Sequence, residues 1–158
     1  MDNFTVSQRH NLSMAGKSGK TSYYISGAYD SQNGAIRLAE DKFDRYTTRG
    51  KLEFKPYKWL SIGNNTSLVF ADRSKPTLLS IGDLYNLFPT DWDKNPDGTW
   101  ANSGAGRVGA RLTEGGRTNQ KTNVLQTTFN SELTFFQDAL KFNVDYTIRK
   151  ENIKYAGN

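Results

Sequence analysis

The sequence predicts an all-β fold, an antiparallel up-and-down meander of about six strands forming part of a transmembrane β-barrel. Three observations predict it. Period-two alternation recurs along the chain, short and long connections take turns, and the composition is rich in aromatics while poor in apolar residues overall. Only 35% of the 158 residues are hydrophobic, yet nine Phe, eight Tyr and three Trp bring aromatics to 13%. A soluble domain of this length runs nearer to half apolar, and disordered chains are short of aromatics. A barrel with a polar lumen fits, because only every second strand residue faces lipid.

The strands follow in order. Leu12 and Met14 mark a short one at about 9–16, and Tyr23, Ile25 and Tyr29 share a face of a second at about 21–31, with Gly27 between them. From Arg45 to Lys55, Arg45, Thr47, Arg49, Lys51 and Glu53 alternate with Tyr46, Thr48, Gly50, Leu52 and Phe54. A helix would mix these two sets, whereas a strand separates them; this is the third strand, at about 43–55. The fourth, at about 59–72, places Leu60, Ile62, Leu68 and Phe70 on one face, with Asn64 and Thr66 as weaker members. In the fifth, at about 122–136, Leu125, Phe129, Leu133 and Phe135 oppose Gln126, Thr128, Asn130, Glu132 and Thr134. The sixth, at about 139–153, sets Leu140, Phe142, Val144, Tyr146 and Ile148 against Lys141, Asn143, Asp145, Thr147 and Arg149. Residues 78–87 have the makings of a short helix.

Tight turns are expected at Lys17-Ser18-Gly19-Lys20, Pro56-Tyr57-Lys58 and Phe136-Gln137-Asp138. Between them lie a longer connection from Gln32 to Lys42, with an Asn33-Gly34 turn signal, and a very long one at about 73–121. Strict alternation of short turns and long loops is the habit of a membrane barrel, with the long loops outside. Tyr57, Trp59 and Phe136 sit at turns, where an aromatic girdle would meet headgroups.

Other classes find little support. With no Cys there is neither a disulfide framework nor a Cys-based metal site, and no apolar run approaches the roughly 20 residues of a membrane helix. Met1-Asp2-Asn3-Phe4 lacks the features of a signal peptide, so on a barrel reading the signal was removed or the chain is a fragment. The net charge of +5 is spread through the chain, and no nucleic-acid motif accompanies it.

Three motifs resemble chemistry. Gly16-Lys17-Ser18-Gly19-Lys20-Thr21 looks like the end of a phosphate loop, but Met14 stands where a Gly is needed and a strand follows instead of a helix. Gly104-Ala105-Gly106-Arg107-Val108-Gly109 matches the dinucleotide fingerprint without its strand and with Gly115-Gly116 soon after, so a flexible loop is expected. Asp93-Lys94-Asn95-Pro96-Asp97-Gly98 matches the first half of a calcium loop. Gly104 holds the twelfth position, so Asp93, Asn95 and Asp97 lack the usual acidic partner, and Asp97-Gly98 is also an ordinary turn signal. His10 is the one histidine, and the spacing of Asp91 and Asp93 specifies no site. No enzyme, cofactor or metal centre is expected.

Certain segments, in order, resemble the barrel of SusC/RagA-type TonB-dependent transporters of the Bacteroidetes outer membrane. They are Gln8-Arg9-His10-Asn11-Leu12-Ser13, Lys20-Thr21-Ser22-Tyr23-Tyr24-Ile25-Ser26-Gly27-Ala28-Tyr29, Phe43-Asp44-Arg45-Tyr46-Thr47-Thr48-Arg49, Lys58-Trp59-Leu60-Ser61-Ile62-Gly63 and Asp97-Gly98-Thr99-Trp100. The resemblance implies import of an oligosaccharide or peptide across the outer membrane of a Gram-negative bacterium. It also implies energy from TonB, a SusD-like surface lipoprotein as lid, and outer-membrane lipid around the wall. On it, residues 1–158 are a partial barrel without plug or closing strand, since six strands are fewer than the roughly eight of the smallest membrane barrel. Loop 73–121 would face outward, with Trp92, Asp93 and Trp100 as candidate contacts to substrate or lid; the plainer alternative is that both Trp pack the loop on itself. The rival fold is a soluble β-sandwich, carbohydrate-binding or adhesin-like, in which Leu52, Phe54, Phe129, Phe142 and Tyr146 share a dry core.

Overall fold

Period-two side-chain alternation forces two chemically distinct faces on any sheet these segments build. The computed structural model describes residues 6–34, 41–77, 81–136 and 139–157. In it β1 (Ser7–Ser18), β2 (Thr21–Asn33), β3 (Lys42–Tyr57), β4 (Leu60–Pro76), β5 (Arg117–Phe135) and β6 (Leu140–Gly157) form one antiparallel sheet. Its order is β1-β2-β3-β4-β5-β6, the predicted meander. The outer edges of β1 and β6 are unpaired among the described residues, so the sheet is open.

Cross-strand partners in an antiparallel ladder point to the same side, so the register assigns every side chain to a face. Leu12, Gly27, Thr48, Leu68, Leu125 and Lys150 form one continuous row. His10, Tyr29, Tyr46, Phe70, Asn123 and Asn152 form the next row toward the loop end of the sheet. On this side lie also Met14, Ile25, Tyr23, Leu52, Phe54, Ile62, Phe129, Leu133 and the Leu140-to-Ile148 set; it is called here the apolar face. The opposite face carries Arg9, Asp30 and Arg45 in one row and Ser13, Ser26, Arg49, Ser67, Gln126 and Arg149 in another. Asp30 takes both flanking guanidiniums, Arg45 Nη2 at 2.9 Å and Arg9 from the other side.

The tight turns hold where they were expected, with small shifts. Gly19, at φ +57, turns β1 into β2 in a region that favours glycine. The β3–β4 turn falls at Lys58 and Trp59, because Tyr57 still pairs with Leu60 after a bulge following Phe54. Phe136, at φ +53, starts the β5–β6 turn, and its carbonyl accepts the Ala139 N–H at 3.2 Å; Gln137 and Asp138 lie outside the described residues. Asn33-Gly34 does not turn the chain. Asn33 pairs with Lys42 and Gly34 donates to the Asp41 carbonyl at 2.7 Å, so the ladder runs on past the turn signal; residues 35–40 lie outside the described residues.

No second layer covers either face among the described residues. Phe142 is 58% exposed and Tyr146 63%, and Leu52, Phe54 and Phe129 are exposed as well. The five residues that a sandwich would bury together therefore lie open on one sheet. The buried apolar residues Ala101, Val108 and Leu112 belong to the β4–β5 connection instead. That connection is shorter than expected, because β4 runs on to Pro76 and β5 begins at Arg117; it holds helices α1 (Ile81–Tyr85) and α2 (Gly104–Thr113). The short helix foreseen at 78–87 is α1. The segment from Gly104 to Gly109, expected as flexible loop, is the first part of α2.

Candidate functional site

The β4–β5 loop folds on a core of its own. Its root is closed by the Thr77 N–H on the Gly116 carbonyl at 2.8 Å and by Thr77 and Thr118 hydroxyls 2.9 Å apart. Ser103 caps α2 by accepting from the Gly106 N–H at 2.9 Å, satisfying one of the helix's open donors. The same hydroxyl donates to the Trp92 carbonyl at 2.6 Å, tying the chain before the helix to its first turn. Val108 and Leu112 face inward at helical spacing and pack with Leu84 and Leu87 from α1 and the turn after it. Arg111 reaches Asp83 at 3.5 Å across the two helices.

Trp100 is held from several sides. A Cβ on Gly109 would collide with its ring, so the glycine is what allows the indole to lie against α2. The indole Nε1 donates to Glu114 at 2.6 Å, and Lys94 Nζ sits 4.8 Å from the ring centroid. Of the candidate contacts, Trp100 thus packs on its own loop. Trp92 does not join it. Its backbone is anchored by Ser103, but its side chain is 77% exposed. Asp93 accepts from the Lys94 N–H at 2.9 Å, and its carbonyl accepts from the Ala101 N–H at 3.0 Å.

The calcium-like stretch is a small hairpin, with Lys94 bridging to Trp100. The Asn95 carbonyl accepts the Gly98 N–H at 2.9 Å, and Gly98 takes φ +85 at the tip. Asp97 accepts from the Thr99 hydroxyl at 2.6 Å and the Thr99 N–H at 3.0 Å. These bonds, the hydroxyl first, hold the Asp97 carboxyl below the usual carboxylate range. The Asn95 amide nitrogen donates to Thr99 Oγ1 at 3.0 Å. Oδ1 of Asp93 and Oδ1 of Asp97 are thus engaged by the hairpin's own backbone and hydroxyl. No group of three His, Cys, Asp or Glu side chains positioned to share a metal ion occurs among the described residues.

Beside Trp100 a cleft of about 690 Å³ opens between Leu84, Leu87, Val108 and Leu112 on one side and Lys94 and Glu114 on the other. Tyr85 and Phe88, which the sequence reading passed over, are exposed on the same loop, 84% and 70%. The signal was available: in the stretch expected as a short helix, Leu84 and Leu87 are three apart and so are Tyr85 and Phe88, which puts the two pairs on different sides. With Trp92 they give the loop three open aromatic rings. Such a surface suits stacking on a sugar ring or burial under a protein partner.

The apolar face is the other candidate surface. His10, Tyr29 and Tyr46 stack along its loop-end row, with ring centroids 6.4 and 4.8 Å apart, and Tyr57 stacks on Trp59 at 5.3 Å at the turn end. Between these borders, Asn64, Thr66 and Thr127 sit among apolar residues and satisfy one another. Asn64 Nδ2 donates to Thr127 Oγ1 at 3.1 Å, Thr66 donates to Asn64 Oδ1 at 2.9 Å, and the two threonine hydroxyls are 2.7 Å apart. No helix among the described residues is long and apolar enough to cross a membrane. No protein-family model matches this chain, and no curated protein matches it either.

Proposed function

We propose that this chain is a stretch of transmembrane β-barrel wall from an outer-membrane transporter of the SusC/RagA type. In that role it has no catalytic activity. Its apolar face meets lipid and its charged face lines the lumen. The β4–β5 loop presents Tyr85, Phe88 and Trp92 outward to an oligosaccharide or peptide, or to a SusD-like lid, while TonB would act through parts of the transporter outside this sequence.

One observation carries the reading: the exposed apolar belt crosses the sheet obliquely. On β2 it runs from Tyr23 to Tyr29, centred on Ser26; on β3 from Tyr46 to Phe54, centred on Gly50. On β4 the centre is Asn65, on β5 Asn130 and on β6 Val144. A row drawn from Ser26 through the register arrives at Arg149, not Val144. From β1, centred between Leu12 and Met14, the belt slips by about five residues over five strand steps. At ~3.4 Å per residue and ~4.8 Å per step this is a slope of about 35°. Strands of membrane barrels tilt by roughly 35–45°, and a belt level with the bilayer must then cross them at that angle. A sheet packed face to face in a sandwich needs no such steady slant. On β6 the belt covers eight residue steps, about 27 Å along the strand, hence about 22 Å of height at that tilt, near the roughly 25 Å of a lipid-facing band. The Asn64–Thr66–Thr127 network fits too, since polar groups in hydrocarbon must be paired internally.

The test is size-exclusion chromatography and circular dichroism of the chain with and without detergent. Aggregation in buffer, with β-signal recovered only in detergent or lipid, is expected. A monodisperse β-rich monomer in plain buffer refutes the proposal and favours a soluble binding module.

A further inference from the structure

The apolar face is not neutral beyond its belt. At the loop end Lys121 and Lys154 stand directly opposite each other on β5 and β6, on the same face. Like charges so placed are destabilising. Lys121 is 3.7 Å from Asp72, its partner on β4, and both side chains are largely exposed. Lys150 and Lys154 make no ion pair among the described residues. One row below the lysine pair, Asn123 faces Asn152; one further down, Leu125 faces Lys150. Between Lys150, Asn123 and Asn152 lies a hollow of about 190 Å³ with Leu68, Phe70 and Leu125 as its apolar floor. At the turn end the same face of the described strands themselves carries no cation, its last side chains including Ser18, Thr21, Phe54, Ile62, Leu133 and Leu140, and the nearest, Lys20 in the β1–β2 turn, lies over the Tyr57 ring and donates to the Pro56 carbonyl.

We propose that Lys150 and Lys154, with Lys121, Asn123 and Asn152, bind the phosphate-bearing headgroup of an anionic lipid whose acyl chain enters the hollow over Leu68, Phe70 and Leu125. This rests on the membrane-wall reading above and goes beyond it by naming a lipid class and its leaflet. Depth supports it. Each residue along a strand tilted by about 35° rises ~2.8 Å, so Lys150, six residues above Val144, stands about 17 Å from the mid-plane, just outside a hydrocarbon core ~30 Å thick. Lys154 and Lys121 lie farther out, within reach of a second phosphate on a large headgroup. An apolar floor under a cationic rim matches an amphiphile better than a free anion, which would have no use for the floor. Lys20 at the turn end is engaged by Tyr57 and Pro56, whereas Lys150 and Lys154 make no ion pair among the described residues, so the anionic lipid belongs in the leaflet on the loop side.

The experiment reconstitutes the full chain into phosphatidylcholine bilayers and adds spin-labelled phosphatidic acid or spin-labelled phosphatidylcholine. Electron spin resonance reads the motionally restricted fraction of each. Phosphatidic acid is expected to be enriched by about fivefold for each lysine that reaches a phosphate. The enrichment should fall to near parity in K150Q/K154Q, persist in K150R/K154R and persist in R49Q/K51Q, which alters the opposite face. Equal restriction of both labels by the native chain overturns the site, as does enrichment that survives K150Q/K154Q. Loss of the enrichment in millimolar inorganic phosphate assigns a free-phosphate site and overturns the lipid assignment. If neither label is restricted, the membrane-wall reading itself fails and the proposal falls with it.

Discussion

Ile25 and Ile148 lie on one register row, joined through Gly50, Thr66 and Thr127, and on the same face. Were the bilayer parallel to the rows, the two positions would be equally deep. The oblique belt separates them. Ile25 is one residue from its strand's centre and Ile148 four from its own, which at ~2.8 Å of height per residue places them about 3 and 11 Å from the mid-plane. An arginine on the lipid face of a barrel costs about 2–4 kcal/mol at the mid-plane and ~0–1 near the interface. Ile25→Arg should therefore destabilise the chain by about 2–4 kcal/mol and Ile148→Arg by less than about 1. Asp145→Arg, on the charged face, should be near neutral. The assay is urea unfolding in phosphatidylcholine vesicles, followed by tryptophan emission. Equal penalties for Ile25→Arg and Ile148→Arg, or a larger one for Ile148→Arg, would refute the tilt and with it the argument that the belt follows a bilayer.

Further outcomes follow from the same contacts. Thr127→Val leaves the Asn64 amide without its acceptor in the belt and should destabilise the chain by ~1–2 kcal/mol in vesicles, while Thr128→Val on the other face has no such effect; equal effects in urea unfolding would argue against a lipid-facing network. Gly109→Val drives a side chain into the Trp100 ring, so limited proteolysis should cut within 77–116 much faster with the circular dichroism of the sheet unchanged; unaltered cleavage would mean Trp100 does not hold the loop. The hydrogen bonds to Asp97 lower its folded pKa, so their stabilisation is complete above the ordinary carboxylate range and is lost as pH falls through the lowered value. Thr99→Val should move the Asp97 titration, read by NMR, back upward, and an unmoved titration would show that the hydroxyl is not its main partner.

Alternation alone was enough to place all six strands, because charge and aromatic ring rarely share a face by accident over eleven residues such as Arg45 to Lys55. Their ends were less legible. Asp72 to Pro76 and Arg117 to Lys121 are polar on both sides, so periodicity is silent there, and only pairing with each other and with β3 and β6 makes them strand. α2 was missed for a physical reason. Gly104, Gly106 and Gly109 lower its intrinsic propensity, but a side chain at 106 would strike the Ala101 backbone and one at 109 the Trp100 indole. Tertiary packing requires the residues that local propensity penalises. Trp92 and Trp100 looked alike in sequence because both follow turn residues; Gly109, Lys94 and Glu114 separate them, and those partners are distant enough in sequence to give no local signal.

The slope of the belt belongs to neither level alone. The sequence tells which residues on each strand are apolar, and each strand's pattern is compatible with any register of the same parity. The register tells how strands align and is indifferent to polarity. Only together do they show that Leu12 shares a row with Lys150 while the β6 belt sits well below it. A sheet packed on a protein core is free to scatter such offsets, because core residues need only meet a partner. A planar solvent boundary is not so forgiving. It requires that the offset grow steadily in one direction, and from β2 through Gly50, Asn65, Asn130 and Val144 it does. The same slope lifts Lys121, Lys150 and Lys154 clear of the belt on β5 and β6, which is why the proposed lipid site falls on these strands and not on β1 or β2.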